Sequence, residues 1–278
     1  MELKSNAKIN IGLHVLNKRK DGFHNIATVF QEINFFDIIK ISEAQNFSCK
    51  TNIGQIKQEE NFGTKAFHLI KQVFPDIPNV NIDIQKNIPI NAGLGGGSSN
   101  GTAILKGLNN LFDLSLSSDL LTQLASKVSS DSTFFVNGGL QLGTKKGEEL
   151  SPILKTDIPH HILLVYPNIK INTKGAFNQL KNYLLNENMD INLSNLLKEL
   201  KNNNFDSKLF KNDFEMYVFE THPEIGAIKL RILDLGAKYA SLSGTGSTVF
   251  GIFSSKKDVL KAQSFFGPQY STYYVNPI

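Results

Sequence analysis

Near the N-terminus Ile9, Ile11, Leu13 and Val15 alternate with Lys8, Asn10, Gly12 and His14. A period of two predicts a strand with one buried face, and it puts Lys8 and Asn10 together on the opposite face. Asp21-Gly22 marks a turn, and a further strand is predicted at 37–42. Over 64–74 the spacing becomes helical, with Ala66, Phe67, Ile70, Val73 and Phe74 on one side and Pro75 and Pro78 beyond the end. Val80, Ile82 and Ile84 then alternate with Asn81, Asp83 and Gln85 as a strand that runs into a glycine-rich segment at 92–99. Ile104, Leu105, Leu108, Leu111 and Phe112 recur at helical spacing after it. Leu120, Leu121, Leu124, Ala125 and Val128 mark the next helix, capped by Ser117 or Ser118.

Polar, weakly patterned sequence over 147–159 predicts a domain junction, dividing the chain into 1–155 and 156–278. Beyond it the pattern predicts a strand at 162–166 and a helix at 174–185. Asn- and Lys-rich connections follow, then helices at 213–220 and 223–235, the latter stopped by Gly236. Residues 238–241 and 248–253 read as two strands joined by Leu242-Ser243-Gly244-Thr245-Gly246-Ser247. No repeat period is visible. Strands and helices mix without regular alternation, which predicts two α+β domains and not a doubly wound sheet.

Composition narrows the partners. The 278 residues are 41% hydrophobic and 19% charged, the balance of a globular protein able to bury a core. The net charge of +4 comes from scattered basic residues with no tail or stripe, so no nucleic-acid partner is indicated. Cys49 is the only cysteine, which excludes an intrachain disulfide and a cysteine-based metal site. No run of about 18 apolar residues predicts a membrane span, and residues 1–15 lack the apolar core of a signal peptide. The expectation is a cytoplasmic protein.

The glycine-rich segment carries the most chemistry. Glycines expose successive N–H groups to an anion, and Ser98 and Ser99 stand where the next helix begins, at its positive dipole end. A polyphosphate cradle fits this setting. The segment is not a Walker A loop, because no lysine lies between Gly93 and Ser99, and no acidic residue follows at the spacing of a dinucleotide fold. The alternative is a surface loop, or glycines that permit close packing.

The stretch Pro89-Ile90-Asn91-Ala92-Gly93-Leu94-Gly95-Gly96-Gly97-Ser98-Ser99-Asn100 resembles the ATP-binding motif of the GHMP kinases. Its triple glycine followed by Ser-Ser-Asn is similar to the diphosphocytidyl-methylerythritol kinase branch. Ala7-Lys8-Ile9-Asn10-Ile11-Gly12-Leu13-His14-Val15, continued by Arg19-Lys20-Asp21-Gly22-Phe23-His24, is similar to that branch's first motif. Leu242-Ser243-Gly244-Thr245-Gly246-Ser247 is similar to the third motif of the superfamily. Three matches in the right order are a specific signal where one would be weak.

The resemblance implies a two-domain α+β GHMP kinase fold, with an N-terminal domain like the second domain of ribosomal protein S5 and a ferredoxin-like C-terminal domain. It implies ATP-dependent phosphorylation of the 2-hydroxyl of a cytidine diphosphate-linked methylerythritol, with Mg²⁺ on the phosphates and no assigned metal ligand. Asp131, in Ser129-Ser130-Asp131-Ser132-Thr133-Phe134-Phe135, matches the family's catalytic base, and Lys8 the lysine expected beside it. Lys86 resembles the lysine at the nucleotide site and Asn61 an adenine neighbour. Phe23 and Phe177 match the aromatics that hold the cytosine, and His24 the histidine that reads it. Asn10 and Thr173 are expected on the erythritol and diphosphate, and Ser243, Gly244 and Thr245 are expected to approach the diphosphate or to close the loop from the second domain. The family usually has Pro where this chain has Asn6 and Thr133.

Each residue also has an ordinary reading. Asp131 could cap a helix, Lys8 could be a solvated strand lysine, Phe23 and Phe177 could pack in the core, and 243–245 could be a plain tight turn. His14 reads as incidental on its strand, and His160 and His161 belong to no motif. Rival functions are another GHMP kinase acting on homoserine or a sugar, a non-catalytic nucleotide-binding regulator and an RNA-binding protein. The resemblance implies a monomer or weak homodimer with a small-molecule substrate and no membrane partner.

Overall fold

In the computed structural model, which describes residues 1–54, 56–153, 161–180, 192–205 and 208–278, the N-terminal alternation becomes one long strand, β1 (Glu2–Lys18). Both of its faces are covered. Lys8, Asn10 and His14 are as buried as Ile9, Ile11 and Leu13, so the predicted half-exposed strand is corrected. The strand predicted at 37–42 is the end of a 21-residue strand, β2 (His24–Ala44). Its first half shows no alternation because residues 26–31 are buried on both sides.

β3 (Ser48–Thr51), α1 (Phe62–Val73), β4 (Asn79–Gln85), α2 (Gly96–Leu111), α3 (Ser118–Val128) and α4 (Phe134–Asn137) follow. Then come β5 (Leu140–Thr144), β6 (Glu149–Pro152), β7 (His161–Tyr166), α5 (Thr173–Leu180), α6 (Leu193–Lys201), α7 (Phe214–Thr221) and α8 (Pro223–Asp234). β8 (Tyr239–Leu242), β9 (Val249–Phe253), α9 (Lys256–Phe266) and β10 (Ser271–Val275) complete the described strands and α-helices. Part of the predicted junction, Glu149–Pro152, is thus a strand, while the boundary at 155/156 lies outside the described residues. So do His160 and the 181–185 end of the predicted helix. Of the connections read as Asn- and Lys-rich, Leu193–Lys201 is a helix capped by the Asn192 side chain on the Asn195 N–H.

The chain divides into two compact units. The first takes Met1–Ala7, Phe35–Ile90 and Gly95–Gly138; the second takes Lys8–Asn34, Asn91–Leu94 and Gly139–Ile278. In the first unit β2 pairs antiparallel with β4, and β4 pairs parallel with β3. The inward residues Ile39, Ile41, Ile82 and Ile84 pack with Phe67 and Ile70 of α1 and with Ile104 and Leu108 of α2. Each such side chain stabilises the unit by roughly 1.5–3 kcal/mol on burial. Asn61 caps α1 by accepting from the Gly63 N–H at 2.8 Å. Val73, predicted on the buried face, is 46% exposed at the last residue of that helix.

In the second unit a four-stranded antiparallel sheet runs β10-β7-β9-β8. Leu163 and Val165 of β7, Val249 and Phe253 of β9, and Phe214, Ile228 and Val259 from the helices make its core, with Leu13 and Val15 of β1. The first half of β2 pairs with β5, and β5 with β6. Among the described residues no helix is long and apolar enough to cross a membrane.

Candidate functional site

Lys8 and Asn10 share one face of β1 as the alternation predicts, and burial makes that face consequential. The Lys8 ammonium donates to Asn10 Oδ1 at 2.6 Å, and Asn10 Nδ2 donates to Thr28 Oγ1 at 3.0 Å. Lys8 Nζ also stands 5.4 Å from the centre of the Phe30 ring, a cation–π contact. The reading of Lys8 as a solvated lysine is therefore excluded. Its backbone N–H bonds the Leu94 carbonyl at 3.0 Å, which ties β1 to the start of the glycine-rich segment.

The third motif closes on the same segment. Residues 243–248 form the hairpin between β8 and β9, so the tight-turn reading holds, and the turn also carries long-range contacts. Ser243 Oγ donates to the Gly93 carbonyl at 3.0 Å, and the Thr248 N–H to the Ala92 carbonyl at 3.2 Å. Gly93 has φ +81°, and a Cβ there would come within 1.9 Å of the Ser243 carbonyl oxygen. Only glycine fits. Thr245 Oγ1 lies 3.0 Å from Thr173 Oγ1 at the start of α5.

Asn212 was silent in the sequence, yet it holds this hairpin. Its Nδ2 donates to the carbonyls of Leu242 and Gly244, each at 2.8 Å, and its Oδ1 accepts from the Phe214 N–H at 3.0 Å. The flanking Lys211 carbonyl and Asp213 N–H bond both sides of Leu13. Glu215 accepts from the Leu242 N–H at 2.9 Å and from Lys229 at 2.5 Å. No short motif announces the bonds to the hairpin, because each joins residues distant in sequence.

The aromatic residues are placed differently from one another. Phe23 is 55% exposed with Lys146 Nζ 5.1 Å from its ring centre, so it is no core residue. Phe177 packs on the edge of the core against Phe214, and it also stacks with His24, ring centres 5.5 Å apart at 18°. Burial, then the charge of Lys18, hold His24 below the ordinary imidazole range. At neutral pH it thus offers one donor and one acceptor. His14 is not incidental: it is buried, and its Nε2 donates to the Leu209 carbonyl at 2.8 Å.

In the first unit the glycine segment opens α2. Gly95 is the N-cap with φ +70° and offers no capping side chain. The first helical bond runs from the Ser99 N–H to the Gly95 carbonyl, at 2.9 Å. The N–H groups of Gly96, Gly97 and Ser98 therefore have no partner within the helix, and the dipole's positive end lies there. Gly97 is exposed and Ser98 half-buried, whereas Ser99 and Asn100 point inward. Ser99 Oγ accepts from Ser5 Oγ at 2.7 Å; Ser98 Oγ accepts from Ser129 Oγ at 2.8 Å.

Lys86 lies beneath this turn. Its ammonium is ion-paired with the fully buried Asp37 and donates to Asn100 Oδ1 at 2.9 Å. A Cβ on Gly96 would stand 3.3 Å from Lys86 Nζ, so the charge sits directly under the first turn of α2. Burial lowers the Lys86 pKa, and the Asp37 carboxylate opposes that shift. Asp37 Oδ1 also accepts from the N–H groups of Asn87 and Ile88, at 2.7 and 2.8 Å, which fixes the chain before Pro89. Asp37 is a site residue that periodicity could not distinguish from any strand aspartate.

Asp131 is half-buried in a 3₁₀ turn, Ser130–Thr133, whose N-cap is Ser129 and which has no side-chain cap, so Asp131 is not a capping residue. Where the family usually has proline, Thr133 Oγ1 donates to the Ser130 carbonyl at 3.0 Å and closes the turn. Thr102 Oγ1 bonds the Ser132 carbonyl at 2.7 Å and ties the turn to α2. Asn61, the expected adenine neighbour, serves as the cap of α1. Among the described residues no group of three His, Cys, Asp or Glu could hold a metal ion.

Comparison with known proteins identifies the family. The GHMP kinases N terminal domain matches residues 61–140, and the GHMP kinases C terminal domain residues 185–271. The chain is 36% identical to a 4-diphosphocytidyl-2-C-methyl-D-erythritol kinase of Chlorobium chlorochromatii, over 98% of this chain and 95% of that protein. It is 35% identical to one of Bacteroides fragilis, over 92% and 93%. A crystal structure of 4-(cytidine 5'-diphospho)-2C-methyl-D-erythritol kinase superposes with a TM-score of 0.85 at 24% identity, covering 100% of this chain and 99% of that one. Homoserine kinase from Cytophaga hutchinsonii follows the same fold with a TM-score of 0.71 at 17% identity, covering 99% and 95%. The chain belongs to the GHMP kinases, and within them to the 4-diphosphocytidyl-2-C-methyl-D-erythritol kinase family.

Proposed function

We propose that the chain transfers the γ-phosphoryl group of ATP to the 2-hydroxyl of 4-diphosphocytidyl-2-C-methyl-D-erythritol, giving the 2-phosphate in non-mevalonate isoprenoid synthesis. The observation that carries this reading is 36% identity, over 98% of the chain, to a kinase of that name. ATP, when bound, would supply the phosphoryl group, and Mg²⁺ with it would offset the phosphate charge. The first turn of α2, with no side-chain cap and with the N–H groups of Gly96, Gly97 and Ser98 unpaired within the helix, suits a phosphate.

Asp131 accepts the proton of the attacking hydroxyl, and Lys8 orients that hydroxyl through its ammonium. Pro89, Ala92, Gly93, Leu94 and Gly95 lead the chain into the cradle, with Lys86 and Asn100 beneath it. Asn10 meets the erythritol, while Thr173, Ser243, Gly244 and Thr245 meet the diphosphate. His24, neutral at working pH, reads the cytosine edge, and Phe23 and Phe177 supply aromatic faces. Asn61 borders the adenine.

The test is ADP release with the cytidylated methylerythritol beside mevalonate, homoserine and galactose, with Asp131→Asn as the control. The cytidylated substrate is expected to lead by about ten-fold or more in kcat/KM. Asp131→Asn is expected to lose ~10²–10⁴ in kcat with ATP affinity kept. Preference for an uncytidylated acceptor would assign a different kinase, and near-normal turnover of the variant would remove Asp131 as the base.

A further inference from the structure

Thr28 lies on β2, outside all three motifs, and is fully buried. Its two branches face different neighbours. The methyl packs toward β5, where a Cβ on Gly143 would stand 3.5 Å from Thr28 Cγ2. The hydroxyl donates to the Gly12 carbonyl at 2.6 Å and accepts from Asn10 Nδ2 at 3.0 Å. At the far end of the Asn10 amide, Oδ1 accepts from the Lys8 ammonium at 2.6 Å.

This run of hydrogen bonds has a single direction. A carbonyl only accepts, so the one proton of the Thr28 hydroxyl is committed to Gly12 and its lone pairs are left to face Asn10. An ammonium only donates, so Lys8 needs the oxygen end of the amide. Turning the Asn10 amide over would set its N–H groups against the ammonium and its oxygen against a hydroxyl without a free proton. In a buried setting both mismatches are costly.

We propose that Thr28 is a positioning residue whose hydroxyl locks the Asn10 amide with its oxygen toward Lys8, and so fixes the direction of the Lys8 ammonium during phosphoryl transfer. This rests on the reading of Lys8 as catalytic. The Thr28 hydroxyl bonds Gly12 and Asn10, not the glycine-rich segment, so KM for ATP serves as a separate readout.

Two near-isosteric variants separate positioning from packing. Thr28→Val keeps the volume and the methyl and removes the hydroxyl; Thr28→Ser keeps the hydroxyl and removes the methyl. The lock predicts that Thr28→Val loses roughly ten-fold or more in kcat with KM for ATP unchanged, while Thr28→Ser stays within about two-fold of the parent. Packing alone predicts the reverse order, with Val the milder change. A second readout needs no substrate: the Asn10 side-chain NH₂ protons should be protected from exchange in the parent and in Thr28→Ser, and exposed to exchange in Thr28→Val.

Parent-like kcat and a protected Asn10 amide in Thr28→Val would overturn the proposal. If Thr28→Val does not fold, Thr28→Ala takes its place, and equal kcat for Ala and Ser would overturn it. Failure of the parent to phosphorylate the cytidylated substrate would instead sink the functional reading. The amide exchange would then still decide the lock.

Discussion

His14 follows Lys8 and Asn10 on the same buried face of β1, and it carries a pH dependence of its own. With Nε2 donating to Leu209, Nδ1 is buried and without a hydrogen-bond partner. Burial pushes its pKa below the ordinary 6.5, against the Leu209 bond and the charge of Asp213, with Lys211 adding to the fall. The folded pKa is thus depressed relative to the unfolded one. As pH falls through about 6.5, the unfolded chain takes up the proton first, and stability present above that pH is lost. The urea midpoint is expected to drop between about pH 7.5 and about pH 5.5, and His14→Gln should flatten that drop. An unchanged pH slope in the variant would show that the burden lies on another group. His24 moves in the same direction, so His24→Gln is the necessary comparison.

At the scale of elements, the start of α2 is held from below by charge. Asp37 receives the Lys86 ammonium, Asn100 Nδ2 at 2.9 Å and two backbone N–H groups, all in the interior of the first unit. Asp37→Asn would turn an amide donor toward the ammonium and leave a buried charge without its partner. It is expected to cost about 3–5 kcal/mol in denaturant unfolding, and Asp37→Asn combined with Lys86→Met should recover part of that. If the single variant unfolds like the parent, the ion pair does not support the loop. In the hairpin between β8 and β9 a neutral side chain holds the turn, while Glu215 accepts from the Leu242 N–H at its base. Asn212 spans two of its carbonyls, a job one carboxamide NH₂ can do with its two protons.

At the scale of the molecule, the second unit draws its strands from both ends of the chain. Leu13, Val15 and Ile26 are part of a core otherwise built from residues beyond 160, and β1 supplies the backbone partner of 211–213. A fragment of residues 161–278 is therefore expected to show no cooperative thermal transition; a sharp one would mean that this core closes without β1 and β2. The sequence was enough for what is local. Periodicity places α1, α2, α3, α7 and α8 to within a few residues, and the glycine segment and the Lys8–Asn10 pairing can be read from residue type and spacing. The same rules apply to α6, with Asn192 ahead of Leu193, Leu196 and Leu200, and to α9, with Ser255 ahead of Val259, Ala262 and Phe266. What a single chain segment could not carry is partnership at a distance. Gly93 meets Ser243 across 150 positions, Asn212 meets Gly244 across 32, and Thr28 meets Asn10 across 18. The second covered face of β1 and the burial of Asp37 with Lys86 belong to the same class. Side-chain period reports which residues want to leave water, but a hydrogen bond's donor and acceptor leave no period, so their pairing is decided only when the folded backbone brings them within 3 Å of each other.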